Sequence, residues 1–471
     1  MASVNASNND LHVRVVSRHI VKASPHSTKP HVLAVSNLDL VPQPIQTTMF
    51  CIYPRPPAGG DFTAIVAAFE ANLPSFLDHF YPFAGRISTD TTTGLPELHC
   101  NNHGAELVVG EADVALPSLD YGTTTASVRR VQQPYSQDIA LSVQLVSFAC
   151  GGFAVAWCTN HVLADGSSLS ALVSAWSELS RSGTSTLPAA FLPNHDRSVF
   201  RPRATPCYSA SFDEELTPLD DVKRQVNVLT TQESFVERLY YIEASQIARL
   251  RESASTNLEG GDRRATRVEA VSAYIWKALA GVVCTAGDTS CRMQWWVDGR
   301  RRLTTTRPPE AMRNYIGNVT TAIVREASVD EVQRMPLADV AAMVGEVINA
   351  PDYDKHFQEL VDWVEEHKAR RYVETASLGL GSPTVGVTAF TSFPLDTDFG
   401  FGHAAMATAA SSQSQTTRLC SGFFQITARP GGDGSWIVNA YLWPRLAAAF
   451  ESDEPRVFKP ITAEYLGLLA P

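Results

Sequence analysis

Residues 153–166 read FAVAWCTNHVLADG, and this stretch has a recognisable local architecture. Its first part is apolar and rich in β-forming residues, and a similar run at 139–150 precedes it across a Gly-Gly pair. Because glycine permits the positive φ of a tight turn, the two runs predict a β-hairpin. Apolar residues then recur at helical spacing from Leu169 to Leu179. His161 is therefore predicted to stand at the corner between a strand and a helix.

That corner makes His161 a candidate general base. Rigid elements often present reacting side chains on the loops that join them, and histidine exchanges protons near neutral pH. The H-x-x-x-D spacing that His161 forms with Asp165 is short enough to arise by chance. On this spacing alone, a hydrogen-bonded histidine buried in a core is the commoner case, and the two interpretations stay open.

Length and composition narrow the class of protein. The chain has 471 residues, 44% hydrophobic and 18% charged, which is typical of a folded protein of two or three domains. A net charge of −11 argues against a nucleic-acid partner, because such binding relies on basic surface. Eight scattered cysteines without a C-x-x-C pair favour a reducing compartment. Neither a secretory signal nor a membrane-spanning stretch is evident, so we expect a cytoplasmic protein without a membrane partner.

Two longer motifs connect the chain to a known family. HxxxDG at 161–166 and DFGFG at 398–402 resemble, in order and separation, the HxxxD and DFGWG signatures of the plant BAHD acyl-CoA-dependent acyltransferases. Further family-like segments follow the same order along the chain: VSNLDL at 35–40, YPFAGR at 81–86, VEA at 268–270, VDGR at 297–300 and YIGN at 315–318. The resemblance extends from about residue 12 to 465 and is strongest to the hydroxycinnamoyl transferase branch.

The resemblance implies an α/β fold with two chloramphenicol-acetyltransferase-like domains, each with a mixed β-sheet and flanking helices. A solvent channel between the domains would hold the histidine at its middle. We expect an N-terminal domain at 1–200 that carries HxxxD, and a C-terminal domain at 236–471 that carries DFGFG. Between them, residues 201–235 belong to a stretch rich in Pro, Ser, Thr and charge, which is typical of an exposed crossover.

The resemblance also implies the reaction: transfer of an acyl group, expected to be aromatic or hydroxycinnamoyl, from acyl-CoA to the hydroxyl or amine of a small plant metabolite. His161 would remove the acceptor's proton during attack on the thioester, within a ternary complex. Acyl-CoA would be a co-substrate, with no permanently bound cofactor and no metal. The chain has no G-x-S-x-G nucleophile elbow, and a covalent acyl-enzyme is not required. We expect a monomer.

Family roles carry over to residues that match the motifs. Asp165 and Arg300 would form a structural ion pair that shapes the histidine loop. Asp398 would have a structural role in the fold and in the shape of the channel. Gly400 and Gly402 would adopt backbone conformations that larger residues do not favour. The family's usual Thr-Ser-Trp is Thr388-Ala389-Phe390 here, so Thr388 is the main candidate donor to the oxyanion, and the hole is expected to be weaker.

Other departures concern the substrate pocket. Phe401 replaces the tryptophan of DFGWG, and Ser392 stands where the shikimate/quinate branch has an arginine that holds the acceptor carboxylate. A Thr, Ser and Tyr trio lines the acceptor pocket of that branch, and the matching residues are Thr47, Met49 and Cys51. Together with Phe390, these residues predict a less polar pocket and a neutral or cationic acceptor.

Two questions stay open at this level. The basic residues Arg263, Arg264, Arg267 and Lys277 could receive the CoA phosphates, and a solvated loop and helix start explains them equally well. Because both motif tryptophans are replaced, an alternative function is also open: the protein could be a catalytically impaired family member that binds acyl-CoA or a small ligand. A thioesterase in which His161 activates water is a third possibility.

Overall fold

The computed structural model of the protein describes residues 11–25, 29–42, 45–56, 60–123, 127–218, 235–258, 261–304, 309–379, 381–411, 421–454 and 456–469. Within these ranges, two large mixed β-sheets are flanked by helices, which confirms the predicted α/β fold class. None of the helices in the described ranges is both long and apolar enough to cross a membrane.

The strands are numbered in chain order. They are β1 (Val13–Val21), β2 (His31–Ala34), β3 (Gln46–Tyr53), β4 (Arg86–Thr89), β5 (Pro96–Cys100), β6 (Ala105–Ala112), β7 (Leu141–Phe148), β8 (Phe153–Asn160), β9 (Leu216–Pro218), β10 (Val236–Ile242), β11 (Thr256–Leu258), β12 (Gly261–Arg263), β13 (Ser290–Asp298), β14 (Thr320–Ser328), β15 (Tyr372–Glu374), β16 (Thr384–Phe390), β17 (Met406–Ser411), β18 (Gly422–Ala428), β19 (Trp436–Leu442) and β20 (Lys459–Pro460).

The helices are named by their bounds. The α-helices are Phe62–His79, Val128–Val131, Gly166–Ser182, Ser211–Glu215, Ala244–Ser253, Arg267–Cys284, Pro309–Met312, Val329–Arg334, Leu337–Asn349, Tyr353–His367 and Pro444–Ser452. Short 3-10 helices are Asn37–Leu40, Tyr81–Ala84, Leu116–Ser118, Ala189–Phe191, Arg197–Val199 and Thr375–Leu378.

Both large sheets mix parallel and antiparallel pairs. The first has the order β1-β6-β7-β8-β3-β17, with β6 and β7 parallel and the remaining pairs antiparallel. The second has the order β14-β13-β16-β18-β19-β10-β20, in which β16 runs parallel to both neighbours. In the first sheet, β7 and β8 form the hairpin that the sequence predicts.

Among the described residues, three large apolar cores and one small cluster around Phe423 and Tyr441 are found. The first lies between the first sheet and helices Phe62–His79 and Gly166–Ser182, and the fully buried Trp157 and Trp176 belong to it. The second surrounds helix Arg267–Cys284, whose Trp276 packs at the centre. A third core joins the two sheets, because it contains apolar side chains from both of them, including Phe50, Cys158, Leu239 and Ile437.

Strand β17 departs from the predicted domain boundary. It lies within the predicted C-terminal domain, yet it pairs antiparallel with β3 at the edge of the first sheet. Side chains of the second sheet bond to its backbone: Thr427 donates to the Ala407 carbonyl at 2.9 Å, and Asn439 donates to the Ala409 carbonyl at 3.3 Å. The two sheets are therefore joined through β17, and the C-terminal part of the chain completes both.

The predicted crossover at 201–235 is also more ordered than its composition indicates. Helix Ser211–Glu215 and strand β9 belong to it, and β9 pairs with β15. Phe212 and Leu216 are buried in the second core. The physical reason is that two well-placed apolar side chains anchor a stretch that is otherwise polar. Residues 219–234 of the predicted crossover lie outside the described residues.

Candidate active site

A cavity of about 630 Å³ lies between the two large sheets. The first sheet contributes residues from β3 and from the turn after β8, and the second contributes residues from β13, β14, β16 and β18. Polar side chains on its wall include Thr47, His161, Ser167, Thr320, Thr388 and Gln425. Apolar groups make up much of the remaining wall, as is typical of a small-molecule site.

His161 reaches this cavity because β8 ends at Asn160. The His161 backbone N–H donates to the Ile45 carbonyl at 2.9 Å, which fixes the turn before helix Gly166–Ser182 begins. Its side chain is half-buried and lines the cavity. The predicted position of His161 between a strand and a helix is therefore the observed one.

Asn318 determines the tautomer of His161. The Asn318 Nδ2 atom donates to Asp39 Oδ1 at 3.0 Å and to the His161 carbonyl at 2.8 Å. Because both of these partners can only accept, the other end of the amide, Oδ1, must be the atom 3.1 Å from His161 Nδ1. A carbonyl oxygen accepts, so Nδ1 carries the hydrogen. The basic lone pair of the neutral imidazole is then on Nε2.

Asp39 anchors this arrangement from inside the protein. Its carboxylate is fully buried and accepts from the backbone N–H groups of Ser36 and Asn318, each at 2.8 Å. The guanidinium of Arg197 lies 3.3 Å away and balances its charge. Asp39 and Asn318 belong to two of the family-like segments, at 35–40 and 315–318. No local pattern assigns them a role, because 279 residues separate them.

We expect Asn318→Ala to lower kcat about tenfold while changing KM for both substrates little. The imidazole of the expected general base would lose the bond that fixes its tautomer and ring orientation, and loss of a hydrogen bond that orients a functional histidine typically lowers activity by roughly tenfold or more. Steady-state kinetics would measure the effect, with thermal unfolding recorded in parallel. Asn349→Ala is the matched control, because the Asn349 amide bonds the Gly345 carbonyl of its own helix and does not line the cavity. Equal losses of kcat in both variants would contradict a positioning role.

The carboxylate of Asp165 bonds Arg300 rather than His161. Arg300 Nη1 lies 2.8 Å from one carboxylate oxygen, and Nη2 lies 3.0 Å from the other. The backbone N–H groups of Ser168 and Val319 donate to the same carboxylate at 2.9 and 3.0 Å. Burial alone would raise the pKa of Asp165, but Arg300 and these hydrogen bonds together hold it below its ordinary value. The pair joins the histidine loop to the second sheet.

The loop at 398–402 lies away from the cavity wall. The Asp398 carboxylate accepts from the backbone N–H groups of Gly400 and Gly402 at 2.8 and 2.9 Å. Both glycines have a φ near +100°, which side-chain-bearing residues rarely adopt. Phe401 packs against Tyr53 and Phe153 in the first core and does not line the cavity. This position differs from the predicted role of Phe401 as a substrate contact.

Two predicted residues on strand β16 reach the cavity, and a third, which follows the end of the strand, does not. Thr388 and Phe390 line the wall. The Phe390 ring packs so closely on Gly166 that a Cβ there would lie 2.1 Å from Cε1 of the ring. Ser392 is exposed, in the turn after the strand, and is not on the wall. Its predicted place in the acceptor pocket does not agree with this position.

Strand β3 contributes only its first part to the cavity. Thr47 lines the wall, whereas Met49 and Cys51 are buried in the first core. The reason is that β3 runs from the cavity edge to beneath the helices that cover the first sheet. Burial also raises the pKa of the Cys51 thiol, which keeps it in its neutral form. Of the three predicted pocket residues, only Thr47 faces the cavity.

The four predicted CoA-binding cations do not meet at this cavity. Lys277 donates to the carbonyls of Val332, Gln333 and Met335 at 2.6 to 2.9 Å, where helix Val329–Arg334 ends. Desolvation lowers the pKa of this amine. The remaining three also lie elsewhere: Arg263 pairs with Glu269, Arg267 lies over the Trp436 ring, and Arg264 is exposed. The positions of the three arginines agree with a solvated loop and helix start rather than with a phosphate site at this cavity. The hydrogen bonds of Lys277 indicate a structural role.

Known proteins resemble the chain along most of its length. It is 26% identical over 421 residues to omega-hydroxypalmitate O-feruloyl transferase of Arabidopsis thaliana, which covers 85% of this chain and 86% of that protein. It is 28% identical over 414 residues to agmatine hydroxycinnamoyltransferase 1 of rice, Oryza sativa subsp. japonica, at coverages of 81% and 88%.

Solved structures share the fold at low sequence identity. Vinorine synthase superimposes with a TM-score of 0.68 at 19% identity, over 97% of this chain and 98% of that one. The F. graminearum protein TRI101, solved with coenzyme A and deoxynivalenol, gives a TM-score of 0.74 at 16% identity, over 91% and 99%. The sequence profile of the Transferase family matches residues 11–456. The chain therefore belongs to the Transferase family, the BAHD acyltransferases.

Proposed function

We propose that this protein transfers an aromatic acyl group, of the hydroxycinnamoyl class, from acyl-CoA to the hydroxyl or amine of a small acceptor. The observation that carries this proposal is a histidine with its basic lone pair on Nε2, held by Asn318 at the wall of a cavity between two sheets. The names of similar proteins, among them a feruloyl transferase and an agmatine hydroxycinnamoyltransferase, support the acyl class.

The chemistry follows from the residues around the cavity. The acceptor's oxygen or nitrogen attacks the thioester carbonyl carbon and forms the new C–O or C–N bond, while His161 Nε2 takes its proton. The carbonyl π pair moves to oxygen, where the Thr388 hydroxyl can donate a hydrogen bond. When the C–S bond breaks, the CoA sulfur leaves with the electron pair and takes the proton from the imidazolium. Both substrates must be bound together, because no covalent intermediate is formed.

The charge of the cavity wall supports an acceptor without a free carboxylate. Glu214, Glu215 and Glu374 lie on the wall. The wall residue Arg292 is paired with Glu326, and Arg300 with Asp165. A carboxylate-bearing acceptor would therefore meet negative groups, whereas a neutral alcohol or an amine would not be repelled. We propose neutral alcohols and amines as acceptors. That the protein is a cytoplasmic monomer stays a prediction.

A matrix of donors and acceptors would test the proposal. Feruloyl-, p-coumaroyl-, benzoyl-, malonyl- and acetyl-CoA would each be combined with an aliphatic alcohol, agmatine, putrescine or shikimate. Release of the CoA thiol would be followed with a thiol reagent, and products would be identified by mass spectrometry. We expect acceptor-dependent turnover that is fastest with a hydroxycinnamoyl donor and slowest with shikimate.

Three outcomes would contradict it. Binding of acyl-CoA without turnover in any combination would indicate the catalytically impaired binding protein. Release of free acid at an undiminished rate when no acceptor is present would indicate a thioesterase. Acceptor-dependent turnover confined to acetyl-CoA or malonyl-CoA would retain the reaction class but contradict the hydroxycinnamoyl donor.

A further inference from the structure

Three polar side chains occupy one row across the second sheet, beside the cavity. In the strand register, Thr388 on β16 lies opposite Gln425 on β18, and Gln425 lies opposite Asn439 on β19. Thr388 and Gln425 line the cavity that contains His161, whereas Asn439 is fully buried behind them. Because side chains in register on neighbouring strands share a face of the sheet, Thr388 and Gln425 project from neighbouring strands toward the same cavity.

The hydrogen bonds of Asn439 settle which end of the Gln425 amide is available. Asn439 Nδ2 lies 3.3 Å from the Ala409 carbonyl, which can only accept a hydrogen bond. The atom of the Asn439 amide at this position must therefore be the nitrogen. The same Nδ2 donates to Gln425 Oε1 at 3.2 Å. Gln425 thus uses its oxygen to hold its place. Within the described residues, its Nε2 group has no hydrogen-bond partner, and both of its hydrogens remain for a ligand.

We propose that Gln425 Nε2 and Thr388 Oγ1 together form a two-donor oxyanion hole, an inference that rests on the proposed acyl transfer. When the acceptor attacks, the carbonyl π pair moves to oxygen, and that oxygen accepts one hydrogen bond from each residue. The electrons return as the C–S bond breaks, and neither donor loses its proton.

Two features of the wall favour this role for Gln425. The next two residues of β16 on the wall, Ala389 and Phe390, have no side-chain donor, so Thr388 alone would leave the oxyanion with a single side-chain hydrogen bond from this strand. Asn439 anchors the Gln425 amide before substrate enters, and donors that are already oriented are the ones that stabilise a developing charge.

Gln425→Met is the first variant, because it keeps the length of the side chain and removes both amide atoms. We expect kcat to fall about 100-fold, the usual effect of losing one oxyanion donor, with KM for both substrates within about threefold of wild type. Gln425→Glu is the second variant. Its Oε1 can still accept from Asn439, which preserves the anchor and the fold, but a carboxylate oxygen replaces the donor, so kcat should fall at least as far.

The matched control is Gln294→Met, since Gln294 is a buried glutamine of the same sheet that bonds Ser377 and does not line the cavity. It should lose stability without a comparable loss of kcat. Retention of more than a third of kcat by folded Gln425→Glu would overturn the inference, as would an effect confined to the KM of the acceptor, which would make Gln425 a specificity residue. The proposed function fails separately, through inactivity of the wild-type protein in the full matrix.

Discussion

Replacement of His161 by alanine is expected to lower kcat by about 10²–10⁴-fold, the usual contribution of a positioned general base. Without the imidazole, the attacking hydroxyl or protonated amine would have to lose its proton to water. Donor binding should change little, because the proposed mechanism requires no covalent bond between the acyl-CoA thioester and His161. Steady-state kinetics with the best donor and acceptor, together with calorimetric titration of acyl-CoA, would separate the two quantities.

The control for this experiment is His103→Ala, because His103 is exposed and lies in the loop between β5 and β6. That variant should keep full activity. If His161→Ala retained more than half of the wild-type kcat, the base-catalysed mechanism would have to be abandoned. A selective loss of acyl-CoA affinity at unchanged kcat would instead make His161 a binding residue.

Replacement of Asp165 by alanine is expected to destabilise the protein by up to about 3–5 kcal/mol, since it removes the bidentate partner of the buried Arg300 guanidinium and leaves Asp298, 2.8 Å from Nη1, as its remaining carboxylate partner. The side chains of Asp165 and Arg300 are less than a tenth exposed. The substitution also removes the cap of helix Gly166–Ser182, because Asp165 accepts from the Ser168 N–H. Denaturant unfolding would measure the loss, and kcat would fall with it because the histidine loop is no longer fixed to the second sheet.

A double-mutant cycle would isolate the ion pair. Adding Arg300→Met to Asp165→Ala should restore part of the lost stability, because it removes a buried charge that has lost one of its two carboxylate partners. The exposed pair of Asp330 and Arg334 is the matched control, with both side chains more than half exposed. Asp330→Ala should cost less than about 1 kcal/mol. Strictly additive losses for Asp165 and Arg300 would show that the buried pair is not coupled energetically.

The Asp165 pair also predicts a pH dependence. The folded protein holds the pKa of Asp165 below its ordinary value, so the stabilising effect of the charged carboxylate is fully present above the unfolded pKa, about 3.9. It is lost as the pH falls through the lower, folded pKa. The stability difference between wild type and Asp165→Ala should therefore shrink at acid pH and stay constant near neutrality.

The parts of the site that the sequence could predict are the local ones. The hairpin before His161, the helix after it and the glycines with positive φ at 400 and 402 each depend on a few neighbouring residues. Thr388 lies on β16 and lines the cavity. It could be predicted only through its place in a family motif, because no local pattern of residues marks it.

The missed parts depend on contacts between distant segments. Asn318 bonds His161 across 157 residues, and Asn439 bonds Gln425 on the neighbouring strand of a mixed sheet. Motif alignment also predicted the wrong surroundings for two side chains. Met49 on β3 is buried in the first core, and Ser392 is exposed in a turn. The face of a strand and the partner of an amide follow from tertiary packing, which no single segment encodes.

Strand β17 has a consequence for how the protein is made. Strand β3 leaves the ribosome about 350 residues before β17, and its partner β8 about 250 residues before it. At roughly 5–20 residues per second, even the shorter delay lasts tens of seconds. During that time β3, whose residues 48–53 are buried in the finished protein, is an edge strand with unpaired backbone groups. Such an edge is a template for pairing with other chains. Nascent chains are therefore vulnerable to aggregation until the ribosome releases residues 406–411, and chaperone demand should peak within this interval.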